Sequence, residues 1–181
     1  MTNVQLSSRS DEWYTPPYII DLVHQVIGKP DLDPASSVQA NETIKAGRIL
    51  TKVDDALSCD WTNIPITVYL NPPGGKINNR SSVALFWQKL MGLRTDGLLL
   101  EAIFMGFSLE NLQVTQNLDC LAIADFPIVI PSKRIKFVSP DGDYNAPTHS
   151  NVIAYIPGIT NNTSKFTQVF STLGKLMHPS W

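Results

Sequence analysis

Apolar positions recur along this chain at two different spacings, and the places where one gives way to the other mark out its elements. Ile19, Ile20, Val23, Val26 and Ile27 repeat every three or four residues, the period of a helix with one buried face. Thr15 is expected to cap that helix, Pro16 to be its first helical residue and Gly28 to end it. Residues 31–33 and 48–51 are short strand candidates, with a helix between them from Ser36 or Ser37 to about Lys45. The β-branched run over residues 64–68 predicts a buried strand. Residues 78–82 read as a loop, and residues 83–93 as a helix with Val83, Phe86, Leu90 and Leu93 on one side. Residues 97–104 follow as a largely buried strand, and Ser108 with Glu110 marks the start of a further helix.

The last third is richer in strand patterns. Residues 121–126, 134–138 and 151–156 are strand candidates, residues 139–143 a turn, and residues 164–175 a closing helix. Alternating strands and helices followed by clustered strands predict an α/β fold. Its central sheet is expected to be mostly parallel with an antiparallel edge, and helices are expected on both faces. No repeat or low-complexity tract interrupts the chain, so residues 11–181 are expected to form a single domain preceded by a loose arm over residues 1–10.

Composition narrows the classes of function. The chain is 43% hydrophobic and 17% charged, which suits a folded globular protein. A formal net charge of −2 supplies no overall attraction to nucleic acid, so any such binding has to rest on a local patch. Cys59 and Cys120 are far apart and form no CxxC pair, so neither a disulfide framework nor a metal site is expected. Residues 1–11 lack an apolar signal core, and the most apolar run, residues 98–107, is short and interrupted by Glu101. The expectation is a cytoplasmic protein with no membrane partner, as a monomer or small homo-oligomer.

The chemistry centres on Asn71, Pro72, Pro73 and Gly74, directly after the predicted central strand. Two prolines end a strand because neither donates to a sheet, and Pro72 keeps Asn71 out of the helical region. An amide is thus held at the carboxyl end of a strand, where ligands collect in open α/β sheets. The Asn71 oxygen and the Pro72 carbonyl are two acceptors on a stiff turn, suited to an amino group with two hydrogens to give. A turn with no chemistry is the other reading of the same residues.

Four pieces stand in order along the chain: Trp13-Tyr14-Thr15-Pro16; Asp33-Pro34-Ala35-Ser36; Asp54-Asp55-Ala56-Leu57, with Trp61 after it; and Asn71-Pro72-Pro73-Gly74. Together they resemble the phage-type DNA N6-adenine methyltransferase (Dam) family, and the resemblance spans about residues 11–155. Arg134 to Phe137, and Asn145 to Asn151 with its Ala146-Pro147 pair, resemble later segments of that family. The resemblance implies a Rossmann-like methyltransferase fold, S-adenosylmethionine as cofactor, and DNA as partner in a phage-associated or restriction-modification setting. It implies methyl transfer to the adenine N6 amino group, with Asn71, Pro72, Pro73 and Gly74 as the catalytic turn. Cofactor contacts are expected from Trp13, Thr15, Pro16, Asp33, Pro34, Ala35, Ser36, Asp54, Asp55 and Asn71. Substrate contacts are expected from Lys76, Arg80, Lys133, Arg134, Lys136, Phe137 and His149, of which Lys133, Arg134 and Lys136 form the compact basic cluster.

The chain departs from the family pattern at Gly74, where an aromatic residue would stack on the target base. Phe86, Trp87, Phe107 and Phe137 are the rings available to replace it. Two alternatives follow: an impaired member that only binds cofactor or DNA, and a methyltransferase acting on a protein amide.

Overall fold

The structure, a computed structural model, describes residues 13–139, 141–145 and 149–179. The expected arm over residues 1–10 and the Ala146-Pro147 pair lie outside the described residues.

In chain order the elements are α1 (Pro17–Ile27), β1 (Leu32–Asp33), α2 (Val38–Ile44), β2 (Arg48–Ile49), β3 (Ile66–Leu70), β4 (Lys76–Ile77), β5 (Arg80–Ser81), α3 (Ser82–Thr95), β6 (Leu99–Gly106), α4 (Glu110–Thr115), β7 (Ile128–Pro131), β8 (Phe137–Val138), β9 (Tyr144–Asn145), β10 (Val152–Pro157), α5 (Thr163–Phe170) and β11 (Gly174–Met177). Seven strands form the central sheet in the order β11-β7-β10-β6-β3-β1-β2. The pairs β2–β1, β1–β3 and β3–β6 are parallel. The pairs β6–β10, β10–β7 and β7–β11 are antiparallel. Only β10 and β11 therefore run against the common direction of the sheet. This is the predicted mixed α/β architecture, consistent with a methyltransferase fold.

Alternation along the central strands divides the core between the two faces. Val68, Leu70, Ala102 and Phe104 pack with Trp87 and Leu90 of α3. Tyr69, Ile103 and Met105 face the other way, with Ile19, Ile20 and Val23 of α1 and Phe166 and Phe170 of α5. Glu101 brings a buried carboxyl group into this second layer. Its carboxylate accepts from the Tyr155 hydroxyl at 2.7 Å and from the Asn162 amide at 3.0 Å, which makes it a paired structural acid rather than a ligand group.

Several local expectations shift. Helix α1 starts at Pro17, with Pro16 at the capping position and no side-chain cap; the Thr15 hydroxyl is engaged elsewhere. Ser37 caps α2 by accepting from the Ala40 N–H at 3.1 Å. The loop expected over residues 78–82 is the β4–β5 hairpin, with Asn78 and Asn79 both at positive φ, 49° and 63°, as a tight two-residue hairpin turn requires. Residues 121–126 are not a strand. Ile123–Asp125 is a 3₁₀ turn, closed where the Asp125 carboxylate accepts from the Ala122 N–H at 2.7 Å, and the strand β7 follows it. Of residues 134–138, only Phe137 and Val138 pair, with Asn145 and Tyr144. The closing helix ends at Phe170, and the chain turns at Gly174 into the edge strand β11. A Cβ at Gly174 would lie 2.1 Å from the Ile130 carbonyl, so only glycine lets the strands approach there. Among the described residues no helix is long and apolar enough to cross a membrane.

Candidate active site

The parallel register carries β1, β3 and β6 to one carboxyl edge. Leu32 pairs with Val68, and Leu70 with Phe104. Asp33 ends β1, Asn71 follows β3 and Phe107 follows β6. Two of the motifs seen along the chain, with Phe107 beside them, thus end at the same edge.

Asn71 is anchored from its nitrogen side. Its amide donates to the Thr15 hydroxyl at 3.2 Å, and the same hydroxyl oxygen lies 2.7 Å from the Tyr69 phenol oxygen. Thr15 and Tyr69 are both buried. With the donor end of Asn71 committed, its side-chain oxygen is the end left to face a ligand. Among the described residues nothing donates to the Pro72 carbonyl. The carbonyls that follow are engaged by Ser82, whose Oγ donates to the Pro73 carbonyl and lies 3.3 Å from the Gly74 carbonyl, and whose N–H donates to Gly75 O at 3.1 Å. The turn is therefore fastened to α3 on one side and to Thr15 on the other, with two acceptors kept between.

Asp33 is 1% exposed. Burial pushes its carboxyl from 3.8 to about 6, and the Ala35 N–H that donates to it at 3.1 Å offsets only part of this. Ser36 lies close enough to stabilise the charge slightly, yet its hydroxyl oxygen is buried without a hydrogen bond of acceptable geometry. Burial also raises the Tyr69 phenol, and the nearby Asp33 charge adds to the effect, which puts Asp33 in electrostatic reach of the Tyr69–Thr15–Asn71 chain. The Leu50 backbone staples the Asp33–Ser36 turn, donating to Asp33 O at 3.0 Å and accepting from the Ser36 N–H at 2.9 Å.

Other expected residues are placed as follows. Trp13 is half-buried against the α1 layer, and Pro16 and Pro34 are buried. Pro16 and Pro17 have no N–H, so the first turn of α1 offers few donors to an anion. Asp54 and Asp55 sit in the exposed loop that leaves Leu50, each closed on its own loop. Asp54 accepts from the Thr51 N–H and hydroxyl, both at 2.7 Å, which holds its carboxyl below the usual range; Asp55 accepts from the Ser58 hydroxyl at 2.6 Å. Trp61 is buried and donates to Ala56 O at 2.8 Å, fixing the base of that loop. Lys76 and Arg80 are exposed on the β4–β5 hairpin, directly beyond Gly74. Lys133, Arg134, Lys136 and His149 are exposed, whereas Phe137 is buried in the α1 layer.

The basic loop reaches the same edge through Asn151, a buried residue that the motif reading did not single out. Asn151 accepts from the Ile135 N–H at 3.0 Å, its neighbour Val152 pairs with Gly106, and its amide donates to Gly106 O at 3.5 Å. Tyr69 was also missed as a site residue. The signal was present, because a tyrosine in a buried strand needs a partner for its hydroxyl.

A family model described as DNA N-6-adenine-methyltransferase (Dam) matches residues 2–175, nearly the whole chain. The chain belongs to this family. No curated protein and no solved structure matches it significantly. Dam family membership implies a methyl donor of the S-adenosylmethionine type. The residues fit such a group: a buried carboxylate short of donors and a buried hydroxyl without a partner are what a cationic, hydrogen-bonding ligand would complete.

The anchor of Asn71 gives a first expected result. Thr15→Val keeps the shape but leaves the Tyr69 hydroxyl without the Thr15 partner and frees the Asn71 amide. Stability should fall by about 1–3 kcal/mol, the cost of an unsatisfied buried hydroxyl. Methyl transfer should fall more than cofactor affinity, and Thr15→Ser should restore both. Thermal unfolding and single-turnover rates across the three proteins check this, and an unchanged rate in the valine variant would remove Thr15 from the site.

Proposed function

We propose that the protein transfers a methyl group from S-adenosylmethionine to the N6 amino group of adenine in DNA. The observation that carries this reading is the Asn71-Pro72 turn, with its donor end tied to Thr15 and two acceptors at the carboxyl edge beside the buried Asp33. S-adenosylmethionine supplies an electrophilic methyl on a sulfonium centre. The Asn71 oxygen and the Pro72 carbonyl each accept one N–H of the amino group, which draws density from those bonds and orients the nitrogen lone pair. So oriented, the nitrogen would be placed for in-line attack on the methyl carbon, the N–C bond forming as the C–S bond breaks to leave a neutral thioether, and the methylated nitrogen would then release its extra proton to solvent. Positioning by a turn fastened at both ends supplies much of the acceleration.

Asp33, Ala35 and Ser36, with Thr15, Pro16 and Trp13 beside them, form the cofactor side of the site, and the Asp54–Asp55 loop flanks it. Lys76 and Arg80 on the hairpin, with Lys133, Arg134, Lys136 and His149 on the opposite loops, line a basic rim for the phosphate backbone. A base inside a duplex has to be turned out of the stack to reach the turn.

The test incubates purified protein with labelled S-adenosylmethionine and unmethylated genomic DNA and looks for N6-methyladenine by mass spectrometry. Cofactor binding by calorimetry without transfer to DNA would overturn the proposal in favour of an impaired binding member. Label in a protein amide would select the protein-directed alternative.

A further inference from the structure

We propose that Phe107 is the aromatic platform on which the target base rests, supplied from β6 instead of from the catalytic turn. The inference builds on the DNA methyltransferase reading and specifies how that site holds its substrate. A base drawn out of a duplex loses its stacking partners, and enzymes that capture one replace them with an aromatic or apolar face. Gly74, next to the two acceptors, has no side chain to offer. A Cβ at Gly74 would lie 3.3 Å from Phe107 Cζ and 3.6 and 3.8 Å from its two Cε atoms. The tip of the Phe107 ring therefore occupies the space into which a side chain at position 74 would project. The two positions share one volume, and it is filled from the neighbouring strand.

The other candidate rings are committed elsewhere. Phe86, Trp87 and Phe137 are buried at 5%, 0% and 6% exposure in the two core layers, and Trp87 stacks edge-on against Phe104 and Phe126. Phe107 is only half-buried, so part of its ring stays open beside the turn. Its mount is rigid. A Cβ at Gly106 would lie 2.7 Å from Val152 Cγ1, and the Ser108 hydroxyl accepts from the Glu110 N–H at 3.1 Å to fix the turn that follows. The basic loop is moored to the same Gly106 through Asn151. Backbone charge and base platform thus converge on one end of β6.

The experiment measures methyl transfer to unmethylated genomic DNA and S-adenosylmethionine affinity by calorimetry for the wild type and for Phe107→Ala, Phe107→Leu, Phe107→Trp and Gly74→Tyr/Phe107→Ala. Loss of the ring should lower kcat/KM for DNA by roughly 5- to 150-fold, the usual worth of one base–aromatic stack, with cofactor affinity unchanged. Phe107→Leu retains bulk and fold, so a loss of the same order in that variant assigns the effect to the π-face. Phe107→Trp should retain activity. The double variant should recover part of it, because removing the ring vacates the volume a tyrosine at position 74 needs. Wild-type kcat/KM in Phe107→Leu, or no recovery in the double variant, overturns the platform while leaving the methyltransferase reading intact. Absence of transfer to DNA by the wild type overturns that reading and the platform with it.

Discussion

Asn71→Ala is expected to lower the rate of methyl transfer by about 10²–10³-fold, the usual cost of deleting one positioned polar group at a reacting centre. Cofactor affinity should change little, because the Asn71 side chain is held by Thr15 and the proposed cofactor contacts are Asp33 and Ser36. Asn71→Asp separates the two ends of the amide. A carboxylate keeps the acceptor that faces the amino group. On its other side, an oxygen can accept from the Thr15 hydroxyl, which in turn accepts from Tyr69. The aspartate variant should therefore retain much more activity than the alanine variant. Single-turnover kinetics with calorimetry on the same preparations check both. If alanine reduced cofactor binding as much as transfer, Asn71 would belong to the cofactor pocket or the scaffold rather than to the reacting centre.

The elements that place this residue were largely legible in the chain. β-Branched and apolar runs at residues 64–68 and 97–104 became β3 and β6, each displaced by about two residues. The prolines at 72 and 73 ended β3 where a strand loses its donors. What escaped the pattern was set by partners distant in sequence. Residues 121–126 have the apolar content of a strand, but the Asp125 carboxylate closes them into a turn. Residues 164–175 keep a helical spacing past Phe170, yet the edge of β7 is unpaired without Gly174 to Met177. Ladder pairing outweighs local propensity there.

The site was legible as motifs and opaque as contacts. Spacing marked Thr15 as a helix cap. A shift of one residue in the start of α1 instead turned its hydroxyl to Tyr69 and Asn71, and no local rule reveals a partner more than fifty positions away. Phe107 could be named only as one ring among four, since exposure separates it from Phe86, Trp87 and Phe137 and exposure is a tertiary property. The Asp54–Asp55 pair shows the converse. Its motif is plain in the chain, but both carboxylates are satisfied by Thr51 and Ser58 within their own loop.

Asp33→Asn is expected to stabilise the cofactor-free protein and to weaken cofactor binding, with both effects depending on pH. Burial raises the Asp33 carboxyl from 3.8 to about 6, so the folded chain holds this proton more tightly than the unfolded chain. Below pH ~4 the group is protonated in both states and costs nothing. Between pH ~4 and ~6 the unfolded chain releases its proton first, and the stability of the folded form falls as pH rises. Above that window the full penalty, on the order of 3 kcal/mol, is present. Asparagine carries no charge and keeps an oxygen for the Ala35 N–H. The variant should therefore unfold several degrees above the wild type at pH 7.5, with the difference vanishing near pH 4. Tyr69, the titratable neighbour, is raised and stays neutral throughout this range. If a cationic ligand completes the site, wild-type affinity for S-adenosylmethionine should rise by up to tenfold per pH unit below ~6 and then level, whereas the variant should bind weakly with no such slope. Parallel unfolding curves for the two proteins across this range, or a wild-type affinity indifferent to pH, would show that Asp33 does not carry this charge. Stability lost when the site is empty and regained on ligation would mark Asp33 as a binding residue, since burial with a single backbone donor, the Ala35 N–H, leaves its charge to be met by a ligand.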